Sequence, residues 1–388
     1  MGEARLVTQE FARVWLATFG AFMTFGMLVL ALPLYVKDEL DYGSVGVGVA
    51  VGAASLTAIV FSTLAGRLGD RYGRRPLFLW GGSVMLLCYL GLVLLPPLAG
   101  VVSIRLVAGA AEATFCIAAY TAAMDLAPDE RRGEAVSLVT LASYLGLTIG
   151  PLAGDLIRGD SRYTAVWLTT AVLALAATLV VATLRETKPE TQERAAQGWL
   201  PPRGALRPGL LVVVGLLGFG GFVAFVAIYA RDLGIARPGL VFALFGGVVS
   251  IVRFFGRRLP DTLGPRRTLE LSFVCLAIGL ALIGGWRSTT GLLIGTTVFA
   301  VGQSMTYPSA VLLGVEASSV SERSAVVGSV GAAVDVALGL GALTLGGVAK
   351  YLGYDGAFLV ASVVALSGLA ILRPMRTPAR MPLEEVAP

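Results

Sequence analysis

The amino-acid sequence predicts an all-α integral membrane protein, with twelve transmembrane helices in two pseudo-symmetric six-helix bundles. Three observations carry that prediction. Of the 388 residues, 56% are apolar and only 14% charged, whereas a soluble domain carries about 25% charged residues. Apolar runs of about 20 residues, enough to cross a bilayer, recur along the whole chain. The two halves also echo each other at a nearly constant offset.

The first six runs fall at 13–36, 45–65, 77–95, 98–125, 134–154 and 163–184, and the next six at 209–230, 239–255, 268–285, 290–314, 324–347 and 356–373. The shortest breaks, at Pro96-Pro97 and Trp286–Thr289, read as tight hairpin turns. The first run is full length and has no small-residue cleavage site, so no cleavable signal peptide is expected. Orientation follows from Lys and Arg in alternate loops. One side holds 22 and the other 7, and Arg105 lies within a span. The excess side is cytoplasmic, which places both termini in the cytoplasm of a cell with an inner membrane. The net charge of +5 needs no nucleic-acid partner to explain it.

The longest polar stretch, Arg185–Pro208, follows the sixth run and reads as a linker. The expected organisation is an N-terminal bundle over 1–187, a cytoplasmic linker over 188–208 and a C-terminal bundle over 209–388. Leu68-Gly69-Asp70 with Gly73 recurs as Leu259-Pro260-Asp261 with Gly264, an offset of 191. Glu130-Arg131 recurs as Glu322-Arg323, an offset of 192. Parallel repeats of this kind occur in secondary transporters, with the substrate site near the midplane between the halves.

Composition also excludes chemistry. The chain has no His, which removes Ser-His-Asp triads and histidine proton relays. Cys88, Cys116 and Cys275 lie singly in apolar runs, so neither a disulfide framework nor a metal site is expected. The three lysines, at 37, 188 and 350, lie outside any phosphate-binding P-loop pattern. No cofactor is expected.

The segment between the second and third runs reads Gly66-Arg67-Leu68-Gly69-Asp70-Arg71-Tyr72-Gly73-Arg74-Arg75-Pro76-Leu77. Its glycines permit a tight helix-to-helix turn. Asp70 at a membrane edge suits a helix N-terminus, where unpaired amides favour an anion. The segment resembles the signature loop of the major facilitator superfamily, Gly-x-Leu-x-Asp-Arg-x-Gly-Arg-Arg, and span count, linker and repeat extend the resemblance over the whole chain. It implies the major facilitator fold and a gating role for Gly66, Asp70, Arg71, Gly73, Arg74 and Arg75. By the same resemblance Asp70 meets the start of the eleventh span, around Arg323–Ala325, and Arg74 pairs with Asp125 at the end of the fourth. Lipid-headgroup anchoring accounts equally for Arg67 and Arg75. The second copy has Thr262 for Arg71 and Pro265 for Arg74, so gating is not expected of it.

Arg105 to Gly109 resembles an Arg-x-x-x-Gly element of the same family. Gly146-x-x-x-Gly150-Pro151-x-x-Gly154-Asp155 resembles the Gly-x-x-x-Gly-Pro-x-x-Gly-Gly element frequent in drug–proton antiporters, with Asp155 in place of the last glycine. Two readings of it stand: a bend at Pro151, and close packing of small residues.

Ionisable residues within spans are costly and usually functional. Glu112 and Asp335 both fall near the midplane, and Arg105 precedes Glu112 by seven residues, about 10 Å along one helix face. They are the expected proton-coupling residues. Phe22, Phe25, Tyr120, Phe222, Gln303 and Tyr307 are the candidate cavity wall. The sequence therefore points to a monomeric, alternating-access secondary transporter of small molecules, with protons and membrane lipids as its other partners. Proton-coupled efflux of amphipathic compounds leads. An importer or uniporter of a metabolite, a non-transporting sensor and a membrane-embedded enzyme are the alternatives, the enzyme disfavoured by the absence of a nucleophile-and-base pair.

Overall fold

A computed structural model describes residues 6–94, 96–128, 131–159, 161–188, 202–256, 262–319 and 322–373. The described residues are helical throughout, joined by short turns. The first six helices are α1 (Gln9–Asp38), α2 (Ser44–Tyr72), α3 (Arg74–Val93), α4 (Leu98–Asp125), α5 (Arg132–Arg158) and α6 (Tyr163–Ala182). Then come α7 (Arg203–Asp232), α8 (Gly239–Phe255), α9 (Pro265–Gly285) and α10 (Thr289–Glu316). The last helical run, Arg323–Leu372, has 50 residues. As one rod it would extend about 75 Å, more than twice a hydrocarbon core of about 30 Å. Gly353, at φ 73° and ψ 175°, breaks it into α11 (323–352) and α12 (354–372). Twelve segments result among the described residues.

Several helices outrun the apolar runs read from sequence. Helix α2 continues to Tyr72 rather than ending near 65, and α7 starts at Arg203, inside the expected linker. Hydropathy detects only the part that lies in hydrocarbon, whereas backbone hydrogen bonding continues through the charged ends. The 66–77 segment is consequently two helix ends meeting at Gly73, whose φ of 101° turns the chain. Gly264 opens α9 in the same way, at φ 83°, so the internal echo is visible in the backbone. Its partners Leu259, Pro260 and Asp261, with Glu130 of the second echo, lie outside the described residues.

Helix α1 packs on α5, α2 on α4, and α3 on α4 and α6; in the second half, α7 packs on the α11–α12 run and α9 on α10. Small residues set the closest crossings. A Cβ on Gly146 or Gly150 would collide with the α1 backbone at Met23, and one on Gly26 with the Pro151 ring. Gly154 faces Met27 of the same helix. Helix α5 runs on through Pro151, and these glycines form the packing face between α1 and α5. The halves meet where α2 lies against α11 and α5 against α8. There a Cβ on Gly48 would strike the carbonyl of Ala342.

Glu186, just past α6, fixes the Gly73 turn. Its carboxylate accepts from the amides of Arg74 at 2.8 Å and Arg75 at 3.2 Å, groups with no partner inside α3. It also accepts from Thr187 and Lys188, both at 3.0 Å. Partial burial pushes its carboxyl pKa up, but these four amides outweigh burial and hold it below the ordinary range. A depressed folded-state pKa contributes stability that is present above the unfolded value, about 4.3, and lost as pH falls through the folded value. Glu186→Ala is expected to cost about 0.5–1 kcal/mol at pH 7, the low end for a cap because the side chain is exposed. In thermal melts, the gap from wild type should close as pH falls below about 4. A pH-independent gap contradicts the capping account.

Candidate functional site

The basic end of the molecule carries the Gly73 turn, and the opposite end carries the α1–α2, α5–α6 and α7–α8 turns. Between them, at mid-depth, lies a cavity of about 370 Å³, within the range of small-molecule sites. Both halves line it. Phe22 and Phe25 come from α1, Ser55 and Ser62 from α2, and Phe219 and Gly220 from α7. The remaining wall is largely aliphatic, and its polar features are Arg105, Glu112, Cys116 and Asp335.

Glu112 lies in the middle of α4. Two turns along the helix, Arg105 donates from Nη1 to Glu112 Oε1 at 2.8 Å. The side chains are 11% and 16% exposed, so this pair is shielded from bulk water without being sealed from the cavity. Tyr89 of α3 donates to the same Oε1 at 3.3 Å, and Thr24 of α1 stands 3.3 Å behind the tyrosine oxygen. Helices α1, α3 and α4 therefore converge on one carboxylate. Asp335 of α11 enters from the other half, with Ser62 of α2 within hydrogen-bonding reach. Neither Tyr89 nor Ser62 stands out in sequence, because a hydroxyl in an apolar span is common and its partner lies on another helix.

The other residues singled out from sequence do not reach the cavity. Phe222 is fully buried in a ring cluster with Phe242, Phe245 and Phe299. It is one residue, about 100° of helix, from Val223, which does line the cavity. Tyr120 turns to α5, its oxygen 3.2 Å from Ser143 Oγ. Gln303 is buried within α10, and Tyr307 faces Gly331 of α11. Phe222 and Gln303 are turned by helix phase into packing surfaces, and Tyr120 and Tyr307 stand partly buried outside the cavity lining.

At the basic end, Arg74 is 2% exposed and its Nε lies 2.7 Å from Asp125 Oδ2, an ion pair between α3 and α4. Its Nη1 donates to the Gly69 carbonyl at 2.9 Å and to Asp70 Oδ1 at 3.3 Å. The Asp70 side chain is 52% exposed. Its described partner is thus Arg74 in the next helix, and the expected contact with the start of α11 is not formed among the described residues. Gly66 has open space around it, Arg71 lies over the Tyr72 ring, and Arg75 donates to the Ala182 carbonyl.

The opposite end is joined across the halves. Arg231 of α7 donates through both Nη atoms to Asp38 of α1, at 2.6 and 2.7 Å, and Tyr163 of α6 donates to the same carboxylate at 2.8 Å. Asp155 of α5, 4% exposed, accepts from the amide of Gly239 at the start of α8 at 2.9 Å. A carboxylate is favoured there by the unpaired amides and dipole of α8. Ser44 of α2 donates to the Gly346 carbonyl of α11 at 2.9 Å. Asp155, which departs from the glycine of the resembled element, is therefore half of a contact between the halves. The sequence signal for it was that departure. Asp38 and Arg231 gave none, since each reads as a charge beside its own turn.

The family model described as Major Facilitator Superfamily matches residues 14–259 and 209–387. The chain belongs to this superfamily. An uncharacterized MFS-type transporter of Salmonella typhimurium is 27% identical over 369 residues, covering 93% of this chain and 95% of the relative. The staphylopine export protein of Staphylococcus aureus is 23% identical over 384 residues, covering 92% and 93%. Among solved structures, a bacterial homolog of the human lysosomal transporter Spinster, inward-facing and unoccupied, has a TM-score of 0.81 at 12% identity, covering 97% of this chain and 100% of that one. The nucleoside transporter NupG has a TM-score of 0.77 at 13% identity, covering 94% and 100%. These likenesses establish a multi-pass transporter with the major facilitator fold.

Proposed function

We propose that this transporter exports amphipathic small molecules by antiport with protons, working as a monomer in the inner membrane with both termini in the cytoplasm. The supporting observation is that two carboxyl groups, Glu112 from the first half and Asp335 from the second, line one largely apolar cavity. An apolar wall with few polar groups suits an amphipathic ligand. Glu112 is the proton carrier. Unprotonated, it is held by Arg105 and Tyr89. A proton and a donor group on the substrate compete for the same carboxylate lone pairs, so each displaces the other. Alternation between them across two conformations is antiport.

The test is flux in proteoliposomes, using a compound chosen for raising the melting temperature, since a ligand of the folded state stabilises it. An imposed pH gradient should drive the compound uphill and its collapse should stop accumulation. Counterflow without any driven accumulation would instead favour the uniporter reading, and binding without counterflow would favour a sensor. Orientation has its own test. Single cysteines at Gln192 and Gly43, in a background lacking the native three, should label from opposite sides of the membrane. Labelling of both by an impermeant reagent from outside overturns the topology.

A further inference from the structure

Between the cavity and the basic end stands a cation that the proposed proton cycle does not use. Leu147 of α5 lines the cavity, and Tyr144 is three residues nearer the basic end on the same helix. The guanidinium of Arg253, from α8 of the other half, lies 4.3 Å from the centre of the Tyr144 ring. The Tyr144 hydroxyl is also within its hydrogen-bonding reach, and Tyr307 of α10 is within electrostatic range of both. Tyr144 is twelve residues from the start of α5 and Tyr307 nine from the end of α10. At about 1.5 Å per residue, the group sits roughly 14–18 Å inside the basic ends of these helices.

Headgroup anchoring does not describe this arginine. Its neighbours Phe254 and Phe255 are 69% and 79% exposed and turn outward, while Arg253 turns inward. Its Nε is shielded from solvent and has no hydrogen-bond partner, and among the described residues no carboxylate pairs with it. Arg253 lies in the last turn of α8 and is partly shielded from water, and an arriving anion supplies the counterion it lacks. Guanidinium is the side chain best matched to a planar carboxylate.

We infer that Arg253, Tyr144 and Tyr307 form an anion subsite, and that the substrate is an amphipath carrying a carboxylate or sulfonate at the end that meets Arg253. This rests on the reading of the protein as a transporter of amphipathic compounds and adds the charge of its substrate.

The probes are 1-naphthylacetate and its near-isosteric neutral amide, 1-naphthylacetamide, titrated by calorimetry against the full chain in phosphatidylcholine nanodiscs. Wild type should bind the carboxylate at least about tenfold tighter than the amide, as loss of a hydrogen bond to a charged group requires. Arg253→Gln should bring the ratio to about one by weakening the carboxylate alone. Arg253→Lys, which keeps the charge and loses the fork, should give an intermediate ratio and serves if the glutamine variant does not fold. Equal binding of the two probes, no carboxylate binding to wild type, or an unchanged ratio in both variants overturns the subsite. A lipid phosphate offers the same chemistry, so the titration is repeated with one-third phosphatidylglycerol. If only that lipid distinguishes wild type from Arg253→Gln, Arg253 is a lipid contact and the substrate assignment is wrong. The ratio is read without a gradient, so it fails or stands separately from proton-coupled flux.

Discussion

Glu112→Gln is expected to abolish uphill transport while leaving downhill exchange. Glutamine keeps the shape of a protonated carboxyl and cannot release the proton. One pH unit of gradient is worth about 1.4 kcal/mol, which sustains about tenfold accumulation in one-for-one exchange. The variant should sustain none. It also leaves Arg105, 11% exposed, without the anion 2.8 Å away. Removing one member of a shielded pair is itself destabilising. The double variant Arg105→Gln/Glu112→Gln removes the orphaned cation and separates a folding defect from a coupling defect: it should fold at least as well and still fail to accumulate. Asp335→Asn is the matched change in the other half. If Glu112→Gln still concentrates substrate and Asp335→Asn does not, the proton duty belongs to Asp335.

The second large effect is expected at the end opposite the Gly73 turn. Asp38–Arg231 and Asp155–Gly239 hold the halves together there, whereas Asp70 at the basic end is half-exposed and bound within its own half. The Asp38 pair is about 30% exposed on both sides, so screening limits it to about 0.5–1 kcal/mol. The buried Asp155 contact to the α8 amide is worth about 1.5–3 kcal/mol, as a hydrogen bond to a charged group. Each 1.4 kcal/mol is about tenfold in an equilibrium. Asp38→Asn with Asp155→Ala should therefore shift the population at least about tenfold toward a form open at this end. Spin labels at Tyr42 and Ala236, on exposed turns of the two halves, should report a longer distance in the variant. An unchanged distribution removes these contacts from the conformational balance.

What the sequence made legible follows from the range of the signal. Span number, the Gly73 turn and its echo at Gly264 are local in the chain, and periodicity or φ-positive glycine records them. Glu112 and Asp335 were legible because a charge in an apolar run stands out wherever its partner is. Arg74 with Asp125 came from resemblance alone, since nothing in spacing joins positions 51 residues apart. Phe222 and Gln303 lie off the cavity lining for one reason: type can be read in a span, but the rotational phase of one helix against its neighbours cannot. Asp38–Arg231 was invisible because pairing across 193 residues is a property of how the halves dock. Asp155 was noticed as an irregularity, and its use appeared only with Gly239 beside it.

On the proposed antiport mechanism, the protonation of Glu112 sets which end is open. The most direct measurement is the Tyr42–Ala236 label distance in reconstituted wild type, Glu112→Gln and Asp335→Asn at one neutral pH. Glu112→Gln, which mimics the protonated carboxyl, should redistribute the population between the two distances relative to wild type, and Asp335→Asn should not. A Glu112→Gln distribution equal to that of wild type contradicts the claim.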